Sequence, residues 1–311
     1  MALQILSAFP QWQASRLAWT RLIHPRPLLV MISNKGMWCC WRQGLVWTFR
    51  SALWPDGACR DGVPHQRDAI GELIADLVFD LGLPGAELVL CLPPVSANWR
   101  VLDGLGMQHE DAQARCRSAL ESMDLPFDLE QSYLMTTPIQ HSLAVAGIAR
   151  SSLQAWIDVI EIADLPLRRI SWSLTDAQRA LSRITQDWTG DLAWLVVHDG
   201  GARLLLMRDR IPEIDHTLSS TVGDLCIGEV RACVRAWQQK QDGSSPLGWW
   251  LTLDDASDRD LHQVVDQGAG EQLLNTPLPW TPDPWTEESE VSVLPSLAHL
   301  ALTALHEEES W

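Results

Sequence analysis

The stretch from Leu143 to Ile184 constrains this chain most, because it spells strand, helix, strand, helix without interruption. Leu143-Ala-Val-Ala-Gly-Ile-Ala is an apolar run ending at Arg150. Ser151 or Ser152 can cap a helix, since a short hydroxyl side chain accepts from the first orphaned N–H groups. Leu153, Trp156, Ile157 and Ile160 then keep the spacing of one buried helix face. Asp164-Leu-Pro closes that helix, because proline cannot continue it. Arg168-Arg-Ile-Ser-Trp reads as a second strand, and Asp176–Ile184 as a second helix with Ala177, Ala180, Leu181 and Ile184 on one side. A β-α-β unit places parallel strands in one sheet with the helix across it. The unit is expected to be the hinge between two similar halves.

Length and charge narrow the options. A chain of 311 residues, 46% hydrophobic and 20% charged, holds two packed domains rather than a disordered polymer. The net charge of -17 argues against nucleic acid, which needs a basic face. Seven scattered cysteines without CxxC spacing fit a reducing compartment. No apolar run approaches the ~20 residues of a membrane span, so a cytoplasmic location is expected. Residues 1–26 carry Trp12, Trp19 and only basic charges. They read either as a helix packed on the domain or as an interfacial anchor on anionic lipid.

In order, Leu28–Ile32, Met37–Arg42 and Leu45–Arg50 read as strands, the last two joined through Gln43-Gly44. Asp68–Leu81 is a helix with Ile70, Leu73, Ile74, Leu77 and Val78 inside and Gly82 as its stop. Glu87–Leu92 is a strand ended by Pro93-Pro94, and Trp99–Leu102 another. Gln108–Met123 is an amphipathic helix, followed by strands at Ser132–Met135 and Ile139–Ala146. The second half opens with strands Leu192–Val197 and Arg203–Arg208 across Asp199-Gly-Gly. A long helix, Val222–Gln239, has a possible fault at Gly228; strand Trp249–Leu253 and helices Leu261–Gly268 and Leu294–Leu305 complete the chain.

That order resembles PilM, the actin-like family of type IV pilus assembly, and more distantly FtsA and GspL. Four segments carry the likeness: Ala86-Glu-Leu-Val-Leu-Cys-Leu-Pro; Met107–Glu121 with Leu125-Pro-Phe-Asp-Leu-Glu; Val145–Leu165; and Arg169–Leu181. Asp164 stands where the family often has glycine. The resemblance implies an α/β, actin-like (ribonuclease H-like) fold of two lobes, with a small α+β subdomain inserted in the first. It divides the chain into an extension (1–26), a first lobe (27–166, with the insertion at about 87–146), a second lobe (167–305, its roof subdomain reduced) and an acidic tail (306–311). It also implies a partner: the cytoplasmic N-terminal tail of a PilN-like bitopic inner-membrane protein.

Actin-like proteins hold ATP between the lobes. Each lobe offers an Asp-x-Gly-Ser/Thr hairpin loop whose backbone N–H groups face phosphate and whose acid positions Mg²⁺. Here the first loop is Met31-Ile-Ser33-Asn34-Lys35-Gly, with Met31 at the acid position. The second is Val196-Val-His198-Asp199-Gly200-Gly201, with Val196 there, unless a slip of three residues puts Asp199 in its place. The adenosine turn falls at Asp254-Asp255, where carboxylates replace glycines. Methionine is a poor ligand for Mg²⁺, which prefers hard oxygen. The expectation is a pseudo-ATPase scaffold without a cofactor. The alternative is an ATPase that keeps weakened ATP and Mg²⁺ binding through Ser33, Asn34, Lys35 and the Asp199 turn. Both loops also read as ordinary hairpin turns.

Other chemistry is thin. The nine histidines lack metal-ligand spacing, and His198 beside Asp199 reads as a base or as a turn histidine. Cys39-Cys40 should place one thiol inside and one outside, since neighbours on a strand alternate. Of seventeen tryptophans, Trp237, Trp249 and Trp250 read as core, and Trp280 and Trp285 as a cap on a groove or partner.

Overall fold

A computed structural model of the chain describes residues 27–43, 46–83, 85–102, 118–123, 125, 127–139, 142–199, 201–219, 223–239, 245–253, 271–276 and 296–309. The expected features at Trp12, Trp19, Trp280, Trp285, Asp254, Asp255 and Gly200, the helix 261–268 and most of the helix 108–123 lie outside these residues.

The first half begins with a meander, β1 (Pro27–Ile32), β2 (Gly36–Gln43) and β3 (Val46–Leu53). A two-strand hairpin follows, β4 (Cys59–Arg60) and β5 (Val63–Pro64), then helix α1 (Arg67–Asp80) and β6 (Glu87–Leu92). Parallel pairing of β6 with β1 sets Leu28 against Leu88 and Met31 against Cys91. From the end of β6 the chain leaves to build a separate antiparallel sheet, ordered β7 (Ala97–Leu102), β9 (Ser142–Ala149), β8 (Ser132–Ile139). It returns through α2 (Arg150–Ile162) to β10 (Leu167–Trp172), which pairs parallel with β6.

The second half repeats the plan. Helix α3 (Ser173–Ile184) leads to β11 (Asp191–His198), β12 (Gly201–Arg208) and β13 (Ile211–Thr217). Helix α4 (Gly223–Gln238), β14 (Leu247–Leu253) and β15 (Gln272–Leu273) follow, and α5 (Leu297–Glu309) is the last element among the described residues. The two main sheets run β3-β2-β1-β6-β10 and β13-β12-β11-β14-β15. In each, an antiparallel meander supplies three strands, and two more join parallel to its first strand.

Several local expectations change. The two strands of the 143–172 unit do not share a sheet: β9 belongs to the inserted sheet, while β10, expected at the head of the second lobe, pairs parallel with β6 as an edge strand of the first sheet. Residues 306–309 continue α5 rather than forming a tail: Glu308 pairs with Arg169 at 2.8 Å and with Arg179. Ser151 and Ser152 sit inside α2, whose cap is Ala149 with no side-chain hydrogen bond. The Arg150 N–H instead donates to the Gln131 carbonyl at 2.9 Å. The buried stripe of α2 turns to Ser152, Ala155, Trp156, Val159 and Ile160. Helix α4 runs through Gly228, where an added Cβ would meet nothing within 4 Å. Cys39 and Cys40 are both buried, because β2 lies inside a sheet covered on both faces.

The stops of α1 and α2 follow the left-handed closing turn that satisfies terminal carbonyls. Gly82 (φ +63) ends α1, with the Leu83 N–H donating to the Val78 carbonyl. Asp164 (φ +53) does the same work after α2, with the Leu165 N–H reaching the Ile160 carbonyl. One buried cluster runs from the first sheet through α3 and α5 to Leu192, Trp194 and Val196 on one face of β11. Ala193, Leu195 and Val197 on its other face pack with α4.

Candidate functional site

Met31 and Val196 carry the apolar side chains at the two acid positions. Met31 is wholly buried in β1 and Val196 is buried in β11, paired with Arg203 on β12. The β11–β12 ladder ends at His198 and Gly201, so Asp199 lies in the turn beyond it, at φ +53. The strand register therefore leaves Val196, not Asp199, within β11.

The loop after β1 makes its own hydrogen bonds. The Ser33 N–H donates to the Gly36 carbonyl at 2.8 Å. The Ser33 hydroxyl oxygen accepts from the Lys35 N–H at 3.2 Å and the Gly36 N–H at 3.0 Å. The remaining N–H, that of Asn34, donates across to the other half: its acceptor is Asp199 Oδ2, at 2.7 Å. All four backbone donors of residues 33–36 thus have acceptors within the chain. His198 flanks the contact, with Nε2 3.4 Å from Asp199 Oδ2 and its side chain buried.

Trp54 and Gly62, not singled out from the sequence, and Trp156, expected only as part of a buried helix face, hold this loop in place. The Trp54 indole donates to the Ser33 carbonyl at 2.9 Å. The Asn34 side-chain oxygen accepts from the Gly62 N–H at 2.8 Å, and the Gly62 carbonyl accepts from the Trp156 indole at 2.8 Å. A line of contacts therefore runs from α2 through the β4–β5 turn to Asn34 and Asp199. Asp61 and Gly62 both have positive φ, +51 and +72. Asp-Gly is the signature of a tight hairpin turn, so this support was marked in the sequence. Cys59 lies beside Asn34, its thiol pushed up to about 12 by burial and then by the carboxylates of Asp199 and Asp61.

A second junction joins the inserted sheet to the second half. The Trp99 indole on β7 donates to Asp215 Oδ2 on β13 at 2.5 Å. Asp215 also receives both sides of the Arg203 guanidinium. Trp99 meets Trp172 edge to face at 5.4 Å, and Arg203 lies over the Trp172 ring. Beside this cluster is a cleft of about 450 Å³, walled by Trp99, Arg100 and Val101 on one side and by residues of the 208–215 stretch on the other. Both walls are sheet edges: among the described residues β7 pairs only with β9, and β13 only with β12.

No protein-family model and no curated protein matches the sequence. Solved structures do. A PilM–PilN type IV pilus biogenesis complex matches with a TM-score of 0.67 at 17% identity, over 90% of this chain and 98% of that one. The cytoplasmic domain of EpsL, an inner-membrane component of the Vibrio cholerae type II secretion system, matches with a TM-score of 0.50 at 11% identity. That match covers 91% of this chain and 95% of that one. The fold is actin-like.

An actin-like fold implies ATP and Mg²⁺ between its lobes, and the residues here fit neither well. A triphosphate needs free backbone donors, and those of the first loop are engaged. It would also have to displace the Asp199 carboxylate from the Asn34 N–H. A hydrated Mg²⁺ needs oxygen ligands; Met31 and Val196 offer a thioether and methyl groups, and the Asp199 carboxylate and Ser33 hydroxyl are already accepting from backbone N–H groups of the first loop.

Proposed function

We propose that this chain is a non-catalytic, actin-like scaffold of type IV pilus or type II secretion-like assembly. It works at the cytoplasmic face of the inner membrane and binds the cytoplasmic N-terminal tail of a PilN-like bitopic protein. The observation that carries the inert-site half of this reading is the first loop, whose four N–H groups are all held internally, one of them by Asp199. What supports the partner is the likeness, along nearly the whole chain, to a PilM–PilN complex.

The physical case for a tail is that cytoplasmic flanks of membrane proteins carry excess Lys and Arg. A chain of net charge -17 attracts such a segment and speeds its arrival. Residues 87–92, expected in the insertion, are β6 of the first main sheet; the inserted sheet, whose strands β7 to β9 lie within residues 97–149, supplies the docking wall. Its β7 edge gives an extended peptide backbone groups to pair with, and the adjoining cleft gives its side chains room.

Two measurements test the reading. Synthetic tails of neighbouring inner-membrane components should be retained by the full chain in a pull-down and lost on deletion of residues 95–142. Retention by the deleted protein rules out the groove. Mg-ATP titrated calorimetrically should give no saturable heat; micromolar binding would overturn the inert-site reading and favour an ATPase.

A further inference from the structure

We infer that Asp199 is a built-in ligand: its carboxylate occupies the anion cradle of the first lobe and latches the two lobes together in place of a nucleotide. The inference rests on the reading of the site as one without nucleotide, and goes beyond it by naming what fills the cradle. Asn34 and Asp199 are 165 residues apart, in loops of different lobes, yet share a 2.7 Å hydrogen bond. An ionised carboxylate accepting from a backbone N–H is the charge-assisted arrangement that a phosphate oxygen would make at the same donor. Tethering gives this carboxylate a high effective concentration against any free anion.

The surroundings favour a fixed latch over a chance contact. Asp199 is shielded, its side chain 10% exposed, and His198 flanks it at 3.4 Å. Asn34 is held from the opposite side by Gly62 and, behind that, by the Trp156 indole. Residue 199 takes the left-handed conformation (φ +53), where glycine would be the easiest residue. An aspartate there supplies the acceptor.

That conformation makes the test clean, because Asp199→Gly removes the carboxylate from a backbone glycine already suits, and Asp199→Asn also tolerates it while losing the charge. The full chain would be followed by hydrogen exchange at the Asn34 amide and by the distance between spin labels, one on each lobe. Asp199→Gly should speed Asn34 exchange roughly tenfold to hundredfold, the span set by a hydrogen bond to a charged group, and should lengthen or broaden the inter-lobe distance. Asp199→Asn should fall between. Inorganic phosphate should slow Asn34 exchange in Asp199→Gly and leave the wild type unchanged. Unchanged exchange and distance in Asp199→Gly, with a normal melting curve, overturn the latch. Phosphate protecting Asn34 equally in wild type and variant overturns it too. Mg-ATP bound by the wild type sinks the scaffold reading as well, so the two failures are distinguishable.

Discussion

Gly36 and Gly201 open β2 and β12, the second strand of each hairpin, yet should respond oppositely to an added methyl group. A Cβ on Gly36 would lie 2.2 Å from the Ala52 carbonyl oxygen and 3.0 Å from the Leu53 Cα. Both are backbone atoms of β3, which cannot swing aside as a side chain can, so β2 and β3 must part. Overpacking of this kind costs about 1–3 kcal/mol. Gly36 also accepts from the Ser33 N–H and donates to the Ser33 hydroxyl, and weakening those two neutral bonds adds about 1 kcal/mol. Gly36→Ala should therefore lose about 2–4 kcal/mol. On Gly201 the nearest atom to a Cβ is the His198 carbonyl oxygen at 3.5 Å, an ordinary contact. Gly201→Ala should stay within about 0.5 kcal/mol of wild type, the range of substitutions that meet no special feature. At roughly 2 °C per kcal/mol for a long chain, melting followed by circular dichroism should fall by about 4–8 °C for Gly36→Ala and by ~1 °C or less for Gly201→Ala. Melting points within ~1 °C of each other would refute the argument that backbone, rather than conformational freedom, requires glycine at position 36.

Three other perturbations follow from buried or shared polar groups. Burial raises the Asp176 carboxyl from its ordinary 3.8, outweighing Ser171 and the Arg179 guanidinium 3.7 Å away. A raised acid favours the fold in its protonated form, so its contribution is full below 3.8 and is lost as pH rises through the folded value. The urea midpoint of wild type minus that of Asp176→Asn should therefore fall as pH rises above 3.8; a difference that grows with pH contradicts this. Glu229 is the opposite case, held down to about 2 from 4.5 by the Ser219 hydroxyl, the Ser219 N–H and His216. Its contribution is present above 4.5 and lost as pH falls toward 2, so Glu229→Gln should melt below wild type at neutral pH and match it at the acid end. Trp156→Phe removes a wholly buried indole and leaves the Gly62 carbonyl only the Ser96 hydroxyl at 3.5 Å, and should cost about 2–4 kcal/mol in chemical unfolding. A loss under about 0.5 kcal/mol would show that the Gly62 turn finds another donor.

What the sequence disclosed tracks how local each feature is. β6 could be placed to the residue, because an apolar run met Pro93-Pro94. The existence of β10 was legible too, but its sheet was not: pairing with β6 is fixed some 80 residues away, and a strand pattern does not name its partner. β13 was hidden by Pro212, which argues against a strand except at an edge, where β13 lies. The site shows the same division. Ser33, Asn34, Lys35 and Asp199 declared themselves as turn residues, and Met31 and Val196 as acids missing from their places. Nothing local says that Asp199 meets the Asn34 N–H, because that contact exists only once two copies of one sheet plan face each other. The loss of acids by itself is compatible with a weak nucleotide site, since a single donor loop can still hold phosphate. In the fold the turn aspartate accepts from the last N–H of the first loop, the donor a phosphate would need, and the inert-site proposal rests on that contact. A substitution at position 199 should therefore affect lobe closure and anion binding together, whereas restoring an acid at Met31 alone leaves the cradle filled.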